Sequence, residues 1–454
     1  MEFRPIRLAD KALFQRYAFK SGTQNCDMSF ANIYCWQDTY HSDIAEYGGF
    51  LLIRFIYGEG ETGYMQPIGE GDVRDVIARL HDDAVSRGSV LRIVGITQQP
   101  WRECIEELFP DRFAFSAPRS LCDYIYLAED LATLQGSHYK PKRNHINRFK
   151  SLYDYRYEPL TADNMDDCMA LNRLWQQMRD DHSASEREEQ AAMQRAFADF
   201  DALGLRGGVL YANDRVAAFT YGSPISPDTF CTHVEKADSD FDGAGAMINM
   251  LFAQDLASEY KYINREEDLG IEGLRFSKLS YRPATLLCKQ SALLLTDRAR
   301  QIRTLWQEVF GDERDFVDTF LMHHHNPALC FTHEEAGAVV AMLHVIPMQS
   351  DAGRVAYIYA VATRAEYRNR GFASALIEEA LRHIEQSGKY DLVALIPSDD
   401  NARRLYAAHG FADTAVPMHF CHEFDFGTGE TARDVAMVRP LHNTPLPEQI
   451  TVTS

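Results

Sequence analysis

Two arginines and a glycine stand together in the segment RNRGFA, residues 368–373, of a chain that is otherwise strongly acidic. The apolar run before it, residues 354–363, reads as a buried strand, and apolar residues at helical spacing follow it. The turn therefore places Arg368 and Arg370 at a helix N-terminus, whose unpaired N–H groups and dipole attract anions. Gly371 allows the backbone to approach a ligand closely. This order predicts a site for a polyanion such as a pyrophosphate.

The elements around the turn predict an α/β domain. Residues 328–347 read as strand, turn and strand, and residues 390–398 as another buried strand. Residues 399–411 read as a short helix that an aspartate caps and that Gly410 ends. Tyr406 lies in the middle of this helix.

The paired motifs R-N-R-G-F-A and N-A-x-x-L-Y-x-x-x-G-F resemble the GNAT superfamily of acyl-CoA-dependent N-acyltransferases, over about residues 296–440. The resemblance implies acetyl-CoA (coenzyme A) as the cofactor, with its pyrophosphate on the turn. It implies that Tyr406 protonates the leaving thiolate. The cofactor-binding residues that it implies are Ala360, Val361 and Ala362 on the splayed strand, Arg368, Asn369, Arg370, Gly371, Phe372 and Ala373 on the turn, and Asn401.

The group that accepts the proton of the attacking amine is open in the sequence. An amine that attacks a thioester loses a proton, whereas the departing thiolate gains one. Many members of the superfamily carry a glutamate on the strand before the turn, and Tyr359 stands at that position here. The candidates are therefore Tyr359, His344 on the preceding strand, and a relay through water.

Residues 205–290 repeat the same order of elements, with a hairpin, a strand, a glycine turn, a helix, a strand and a helix. Asp240 stands where the C-terminal copy has Arg368, and Asp238 and Asp242 add negative charge. Because carboxylates repel a pyrophosphate, we expect this copy not to bind coenzyme A in the usual way. Residues 1–130 read as a third related layer.

Three blocks of the chain, residues 140–149, 233–249 and 262–284, resemble the soluble C-terminal domain of phosphatidylglycerol lysyltransferases. The resemblance covers about residues 1–293. That family has two GNAT-like subdomains and transfers an aminoacyl group from transfer RNA to a lipid headgroup. The substrate-binding residues that the resemblance implies are Lys140, Arg143, Asn144, Asn147, Arg148, Glu235, Lys236, Asn249, Asn264, Arg265, Glu266, Arg275, Lys278 and Tyr281.

Composition limits the partners. The formal net charge of −20 disfavours broad binding to nucleic acid or anionic membranes. The basic segment 138–153 fits either phosphates and single-stranded RNA ends or an amphipathic helix that packs Ile146, Phe149 and Leu152. No apolar run approaches the ~20 residues of a membrane span, so we expect no integral membrane segment.

The remaining residue patterns predict a cytoplasmic protein without a metal site. The nine cysteines include no C-x-x-C pair, which is typical of reduced thiols. The run His323-His324-His325 has no cysteine or carboxylate at a familiar zinc spacing.

We therefore predict an α/β (α+β mixed sheets) protein with three GNAT-like units in tandem. The domains are subdomain 1 (1–135), subdomain 2 (136–293), an acetyltransferase domain (296–440) and a flexible tail (441–454). The leading hypothesis is acetyl transfer from acetyl-CoA to a primary amine on a small molecule or peptide, while the N-terminal unit binds or modifies a related substrate. The alternatives are aminoacyl transfer from aminoacyl-tRNA to a lipid or small-molecule acceptor by residues 1–293, and a non-catalytic GNAT-like protein that binds a ligand.

Overall fold

The computed structural model describes residues 1–58, 60–97, 99–177, 184–420, 434–442 and 444–452. The chain divides into two compact units. The first comprises Met1–Leu108 and Ala117–Ala292, and the second comprises Phe109–Ser116 and Leu293–Ser454.

The strands are β1 (Arg4–Pro5), β2 (Asp43–Tyr47), β3 (Phe50–Tyr57), β4 (Glu61–Met65), β5 (Ile68–Gly69), β6 (Arg92–Ile96), β7 (Phe113–Ser116), β8 (Asp123–Leu127), β9 (Tyr155–Pro159), β10 (Arg206–Ala212), β11 (Arg215–Pro224), β12 (Thr229–Ala237), β13 (Tyr262–Asn264), β14 (Thr285–Leu287), β15 (Gln290–Leu294), β16 (Cys330–Glu335), β17 (Ala338–Ser350), β18 (Gly353–Thr363), β19 (Leu392–Leu395), β20 (Ala412–Phe420), β21 (Asp434–Pro440) and β22 (Ile450–Val452).

The helices are α1 (Lys11–Tyr17), α2 (Phe30–Cys35), α3 (Gln37–Tyr40), α4 (Val73–Ser86), α5 (Gln99–Leu108), α6 (Ala128–Thr133), α7 (Lys140–Leu152), α8 (Met165–Gln177), α9 (Ala184–Ala198), α10 (Phe200–Leu203), α11 (Ala244–Leu256), α12 (Glu272–Leu279), α13 (Asp297–Phe310), α14 (Arg314–His323), α15 (Phe372–Ser387) and α16 (Asp400–Ala408).

Three mixed sheets repeat one arrangement of elements. Within the first unit the sheets run β1-β2-β3-β4-β6-β15, with β5 on β3, and β14-β8-β13-β12-β11-β10-β9, and the second unit holds β16-β17-β18-β19-β21-β20-β22. In each sheet an antiparallel pair is followed by a helix and then by a strand parallel to the second member of the pair. These segments are β3-β4-α4-β6, β11-β12-α11-β13 and β17-β18-α15-β19. The α/β fold with three GNAT-like units in tandem is therefore confirmed.

Two strands lie where the sequence suggests other neighbours. Strand β8 falls within the segment 1–135 but pairs with β13 and β14 in the second sheet. Strand β22 falls within the segment 441–454, predicted as a tail, and pairs with β20 through Met418 opposite Ile450. Both strands bury apolar side chains in their sheets, and such long-range pairing is set by burial rather than by distance along the chain.

Each face of the third sheet has its own apolar core. Helices α13 and α14 cover the face whose cluster contains Trp306, Phe320 and Met342, and α15 and α16 cover the face whose cluster contains Ile377 and Tyr406. Among the described cysteines, eight are free thiols and five of these are buried. In the part of the chain that the structure describes, no helix combines the length and apolarity needed to cross a bilayer.

Candidate functional site

The basic turn lies exposed at the N-terminus of α15, as the sequence predicts. Gly371 is the N-cap residue of this helix with φ of 86°, in the left-handed region that favours glycine. A Cβ atom added to Gly371 would meet nothing within 4 Å, so the space over the helix end is open. The Arg368 Nε donates to the Thr363 carbonyl at 3.2 Å, and the guanidinium of Arg370 stacks 4.8 Å from the Tyr367 ring. The first turn of α15 thus presents N–H groups and two arginines to solvent.

The turn is flanked by Asn369 and Phe372. Asn369 adopts φ of 61°, so the turn has left-handed backbone at Asn369 and again, after Arg370, at Gly371. The Phe372 ring stacks on His333, with centroids 4.0 Å apart. Ala373 follows within the first turn of the helix and is half-buried. The Phe372–His333 stack therefore joins the start of α15 to β16.

Strand β18 breaks from its neighbour just before this turn. The pairing with β17 shifts register between Met342 and His344, and Ala360 adopts φ of 48°. Such a break re-aims backbone groups away from the ladder. Val361 packs against the apolar cluster that contains Tyr406, whereas Ala362 is buried on the other face. Val361 and Tyr406 therefore share one side of the sheet, whereas Ala360 and Ala362 face the other.

Tyr406 is buried on α16, and the helix is capped by Asp399, which accepts from the Ala402 N–H at 2.8 Å. Burial, with a smaller contribution from Asp399, raises the pKa of Tyr406 to about 12. The phenol therefore keeps its proton at neutral pH, which is the form that a general acid needs. Asn401 is exposed one turn earlier, and its Oδ1 accepts from Arg404 at 2.8 Å.

The two predicted candidates for the base lie on the opposite face. His344 pairs across β17 and β18 with Tyr359, under α13 and α14. The Phe320 ring lies 5.0 Å from the His344 ring and 5.6 Å from the Tyr359 ring, centroid to centroid. Burial lowers the pKa of His344 to about 3 and raises the pKa of Tyr359 to about 12. Neither group has the affinity for protons that suits a base at neutral pH.

One neighbour of His344 is not apparent from the sequence. The His325 Nδ1 lies 3.3 Å from the His344 Nε2, and Cys330 pairs with His344 across β16 and β17. The ligand atoms of these three residues lie within 4.8 Å of one another. The run His323-His324-His325 does not predict this proximity. The fold of the β16–β17 hairpin, and not a short sequence motif, brings His325, Cys330 and His344 together.

The corresponding turn of the middle copy is covered. Gly243 caps α11 with φ of 90°, but a Cβ added there would meet the His145 carbonyl oxygen of α7 at 2.4 Å. Arg148 on the same helix pairs with Asp242 at 2.8 Å, and Arg215 pairs with Asp238 at 3.2 Å. The acidic turn thus pairs with protein cations, and α7 lies directly over Gly243.

Helix α7 is amphipathic, which is one of the two interpretations of the basic segment 138–153. Ile146 and Phe149 are buried in the core of the second sheet. Leu152, which that interpretation also packs, is instead exposed because it lies in the last turn of the helix.

A buried cluster of charges forms beside α11. The Arg265 Nη2 donates to Glu235 at 2.8 Å, and Asn249 donates to the other Glu235 oxygen at 3.1 Å. The Lys142 Nζ lies 4.0 Å from the centre of the Tyr281 ring. Within the described ranges, the Arg265 Nη1 and the Asn249 Oδ1 are buried without a hydrogen-bond partner. The cluster therefore keeps one free donor and one free acceptor for a polar ligand.

Three more predicted residues position this region. The Lys278 Nζ donates to the Arg265 carbonyl at 2.6 Å, and Asn264 donates to Asp123 at 2.8 Å. Glu266 accepts from His233 at 2.9 Å. These contacts hold the segment that carries Arg265.

The other predicted substrate-binding residues lie apart from the cluster. Lys140, Asn144 and Asn147 are exposed on α7. The partners of the rest are the Gly136 carbonyl for Arg143 at 2.7 Å, Asp242 for Arg148, Glu189 for Lys236 at 2.8 Å and Asp268 for Arg275 at 3.0 Å.

Two residues of the cluster, Lys142 and Tyr126, are not among the predicted substrate-binding residues, although Lys142 lies in the basic segment 138–153. Burial, with help from Arg265, lowers the pKa of Lys142 to about 8. The Tyr126 ring lies 5.7 Å from the Arg265 guanidinium. The alternation in β8 indicates a strand but does not reveal its partner, so Tyr126 could not be placed from the sequence alone.

Comparison with known families gives two matches. The family model described as phosphatidylglycerol lysyltransferase, C-terminal, matches residues 19–293. The model described as acetyltransferase (GNAT) family matches residues 297–411. No curated protein matches the chain.

Three solved structures illustrate what the chain is similar to. A conserved protein of unknown function from Bacteroides thetaiotaomicron is 43% identical, with a TM-score of 0.62, and covers 65% of this chain and 100% of its own. The structure of L-PGS from Bacillus licheniformis is 14% identical, with a TM-score of 0.45, and covers 63% and 91%. A GNAT family N-acetyltransferase from Escherichia coli in complex with CoA is 16% identical, with a TM-score of 0.28, and covers 35% and 86%.

Proposed function

The chain belongs to the phosphatidylglycerol lysyltransferase C-terminal family, and we propose that it is an acyltransferase whose C-terminal domain acetylates a primary amine with acetyl-CoA. The amine belongs to a small molecule or a peptide. The N-terminal unit binds or modifies a related substrate. The cytoplasmic location predicted from the cysteine pattern is part of the proposal.

The observation that carries the proposal is the open space over Gly371. The turn is exposed, carries Arg368 and Arg370, and ends in helical N–H groups with no atom within 4 Å of an added Cβ. A pyrophosphate bound there gains charge-assisted hydrogen bonds and the favourable helix dipole. The other glycine turn with the same backbone geometry is filled by α7.

The chemistry of the proposal uses backbone groups of β18, the Tyr406 side chain and water. The amine attacks the thioester carbonyl, and backbone N–H groups near Ala360 stabilise the oxyanion. Tyr406 gives its proton to the departing thiolate. Because His344 and Tyr359 have pKa values of about 3 and about 12, the proton of the amine leaves through water rather than to either side chain.

A second candidate function is aminoacyl transfer from aminoacyl-tRNA by residues 1–293. The buried pair Glu235–Arg265 favours it, because the free Nη1 of Arg265 and Oδ1 of Asn249 suit a ligand that both donates and accepts hydrogen bonds. An aminoacyl group has both kinds of atom. The matched family model is that of a lysyltransferase.

Calorimetric titration of the intact protein with acetyl-CoA tests the first function. We expect one saturable site per chain and a Kd about 100-fold weaker in the double variant Arg368→Gln/Arg370→Gln, from about 1.5 kcal/mol for each charged hydrogen bond. Arg382→Gln, on the exposed side of the same helix, is the matched control and leaves the Kd unchanged. Equal affinity in all variants would remove the turn as the cofactor site. Binding without thiol release in the presence of amines would favour the non-catalytic scaffold.

Filter retention of lysyl-tRNA at low salt tests the second function. We expect retention that falls with salt and that is weakened in Arg143→Gln/Arg148→Gln, since each phosphate contact adds to the salt dependence. Glu235→Gln would retain the RNA but lose aminoacyl transfer. Lys150→Gln, an exposed lysine of the same helix, is the control for net charge. Absence of retention by the intact protein at low salt would dispose of this function.

A further inference from the structure

Three side chains of the first unit, which does not contain the acetyl-CoA turn, form a hydrogen-bonded chain, and only one of them, Glu266, is among the predicted substrate-binding residues. The Ser223 Oγ lies 2.8 Å from the His233 Nε2, and the His233 Nδ1 lies 2.9 Å from the Glu266 Oε1. Ser223 and His233 are largely buried. With the imidazole proton on Nδ1 donated to Glu266, the Nε2 accepts the proton of the serine. This is the order of nucleophile, base and orienting carboxylate that activates a serine for attack on a carbonyl.

The backbone at two of the three positions departs from regular structure. The register between β11 and β12 steps from Tyr221–Val234 to Gly222–Thr232, so His233 is the extra residue of a β-bulge. Glu266 adopts φ of 57°, in the left-handed region that a glutamate rarely occupies. Bulges re-aim side chains, and strained backbone concentrates at functional sites. The bulge orients the His233 imidazole itself, and the left-handed residue brings the Glu266 carboxylate to it.

Several contacts hold the carboxylate in its ionised form. Asn32 donates to the same Glu266 oxygen at 2.8 Å. Burial opposes ionisation, yet the hydrogen bonds from His233 and Asn32 bring the pKa of Glu266 below its usual value. Cys231 lies 3.6 Å from that oxygen, and burial raises the pKa of its thiol well above the usual range. The thiol therefore stays neutral and does not compete with Ser223 as the nucleophile.

The serine opens on a cavity of about 130 Å³. Ser223 and Ser29 contribute to its wall, and Phe14, Met28 and Phe30 supply apolar surface. Lys11 lies at the same cavity, and its Nζ donates to the Ala202 carbonyl at 2.9 Å. An apolar recess beside an activated hydroxyl suits the acyl group of a small ester.

We propose that Ser223, His233 and Glu266 form an acyl-serine site that cleaves small carboxylic esters, independently of the acetyl-CoA turn. The Ser223 Oγ bonds to the ester carbonyl carbon as its proton passes to the His233 Nε2. The carbon–oxygen bond to the alcohol breaks, and His233 returns the proton to the departing alkoxide. Water then attacks the acyl-serine, His233 takes and returns a proton, and the acid leaves with Ser223 restored. Glu266 is a positioning residue that holds the imidazole and its tautomer.

A serine-reactive fluorophosphonate, applied to the full chain, tests the proposal directly. The Ser223 Oγ bonds to phosphorus and fluoride leaves, so peptide mass spectrometry finds one adduct, on Ser223. An adduct on Ser29, whose Oγ lies 3.4 Å from the same Nε2, would overturn the assignment. So would an unlabelled wild-type protein that melts as a folded chain. Because the adduct is mapped in the wild type, the result does not depend on how any variant folds.

Variants then test the relay. Ser223→Ala loses the adduct and the burst of p-nitrophenol from p-nitrophenyl butyrate, whereas Ser226→Ala, a buried serine bonded to Asp228, keeps both. His233→Gln slows labelling about 100-fold, the usual contribution of a general base. Glu266→Gln slows it about tenfold or more, and Glu266→Asp restores part of that rate, which a purely structural role would not predict. Labelling of Ser223 at an unchanged rate in His233→Gln would refute the relay.

Discussion

The turns at Gly371 and Gly243 have the same backbone but differ in what lies over them. Each glycine is the N-cap of a helix that follows the second strand of an antiparallel pair, with φ of 86° and 90°. Over Gly371 the space is open, whereas over Gly243 lie the His145 carbonyl and the side chain of Phe149. The fold therefore repeats one geometry at a helix start, and the surrounding segments decide whether the space over it is open.

The last helices of the two copies, α16 and α12, also differ, in the side chain that each carries at one matching position. Tyr406 lies seven residues after the N-cap Asp399, and Lys278 lies seven residues after the N-cap Ile271. Tyr406 keeps its proton in an apolar cluster, whereas Lys278 donates to the Arg265 carbonyl at 2.6 Å. One position thus holds a group suited to proton transfer, and the other holds a structural cation. The C-terminal copy has both the open turn and the buried, protonated phenol that we propose as the acid.

The largest expected effect comes from removing that acid. Tyr406→Phe should lower kcat about 100-fold, the usual contribution of a general acid, with less than about threefold change in acetyl-CoA affinity. The measurement is thiol release from acetyl-CoA with lysine as the amine. Because the pKa of Tyr406 is about 12, its protonated fraction stays near one below about pH 11, so the phenol gives no alkaline fall in rate between pH 7 and 10.

The matched change in the middle copy is Lys278→Met. Its folded fraction should release thiol at the wild-type rate, because Lys278 belongs to the first unit and has no part in acetyl transfer. Equal losses of kcat and of acetyl-CoA affinity in Tyr406→Phe would instead assign the tyrosine to binding.

The second largest effect is on stability, and it compares the replacement of Gly243 by alanine with the same replacement at Gly371. Gly243→Ala should lower the free energy of unfolding by about 3 kcal/mol, since the new Cβ meets a backbone carbonyl and the residue also pays for φ above zero. Gly371→Ala should cost about 1 kcal/mol, from the left-handed conformation alone. Urea unfolding followed by circular dichroism measures both. Gly388→Ala, at the other end of α15 with φ of 61° and open space, is the control for Gly371→Ala.

Similar losses at Gly243 and Gly371 would contradict the view that α7 closes the middle turn. The acetyl-CoA titration adds a second readout, in which only Gly371→Ala should weaken binding.

The difference between the Gly371 and Gly243 turns could be predicted in part from the sequence. The charges of Asp240 and Arg368 predict which copy is unsuited to a pyrophosphate, and residue types alone carry that information. The part played by α7 could not be predicted, because an amphipathic pattern shows which face is buried but not what it is buried against. Ile146 and Phe149 could equally have packed on any of the three sheets.

The charged clusters show the same limit. The resemblance of three sequence blocks to the lysyltransferase domain singles out Glu235, Asn249 and Arg265, and the structure brings these together. The same resemblance singles out Lys140, which the structure leaves exposed. The chain of Ser223, His233 and Glu266 escapes the sequence because a β-bulge shifts the alternation of β12 and a left-handed residue redirects the following loop. Local irregularities of this kind have no period to detect.

The smallest expected effect tests what keeps acetyl-CoA from the Gly243 turn of the middle copy, the negative charge of its aspartates or the lack of space under α7. The double change Asp240→Arg/Asp242→Arg gives that turn the charge of its C-terminal counterpart but leaves α7 in place. We expect one acetyl-CoA per chain, as in the wild type, because the His145 carbonyl still fills the space over Gly243. Stability should change by less than about 1 kcal/mol, since the pair of Arg148 with Asp242 is exposed. A second binding event in the calorimetric titration would show that the carboxylates alone exclude the cofactor. It would also show that α7 moves away from Gly243 when the charge is reversed.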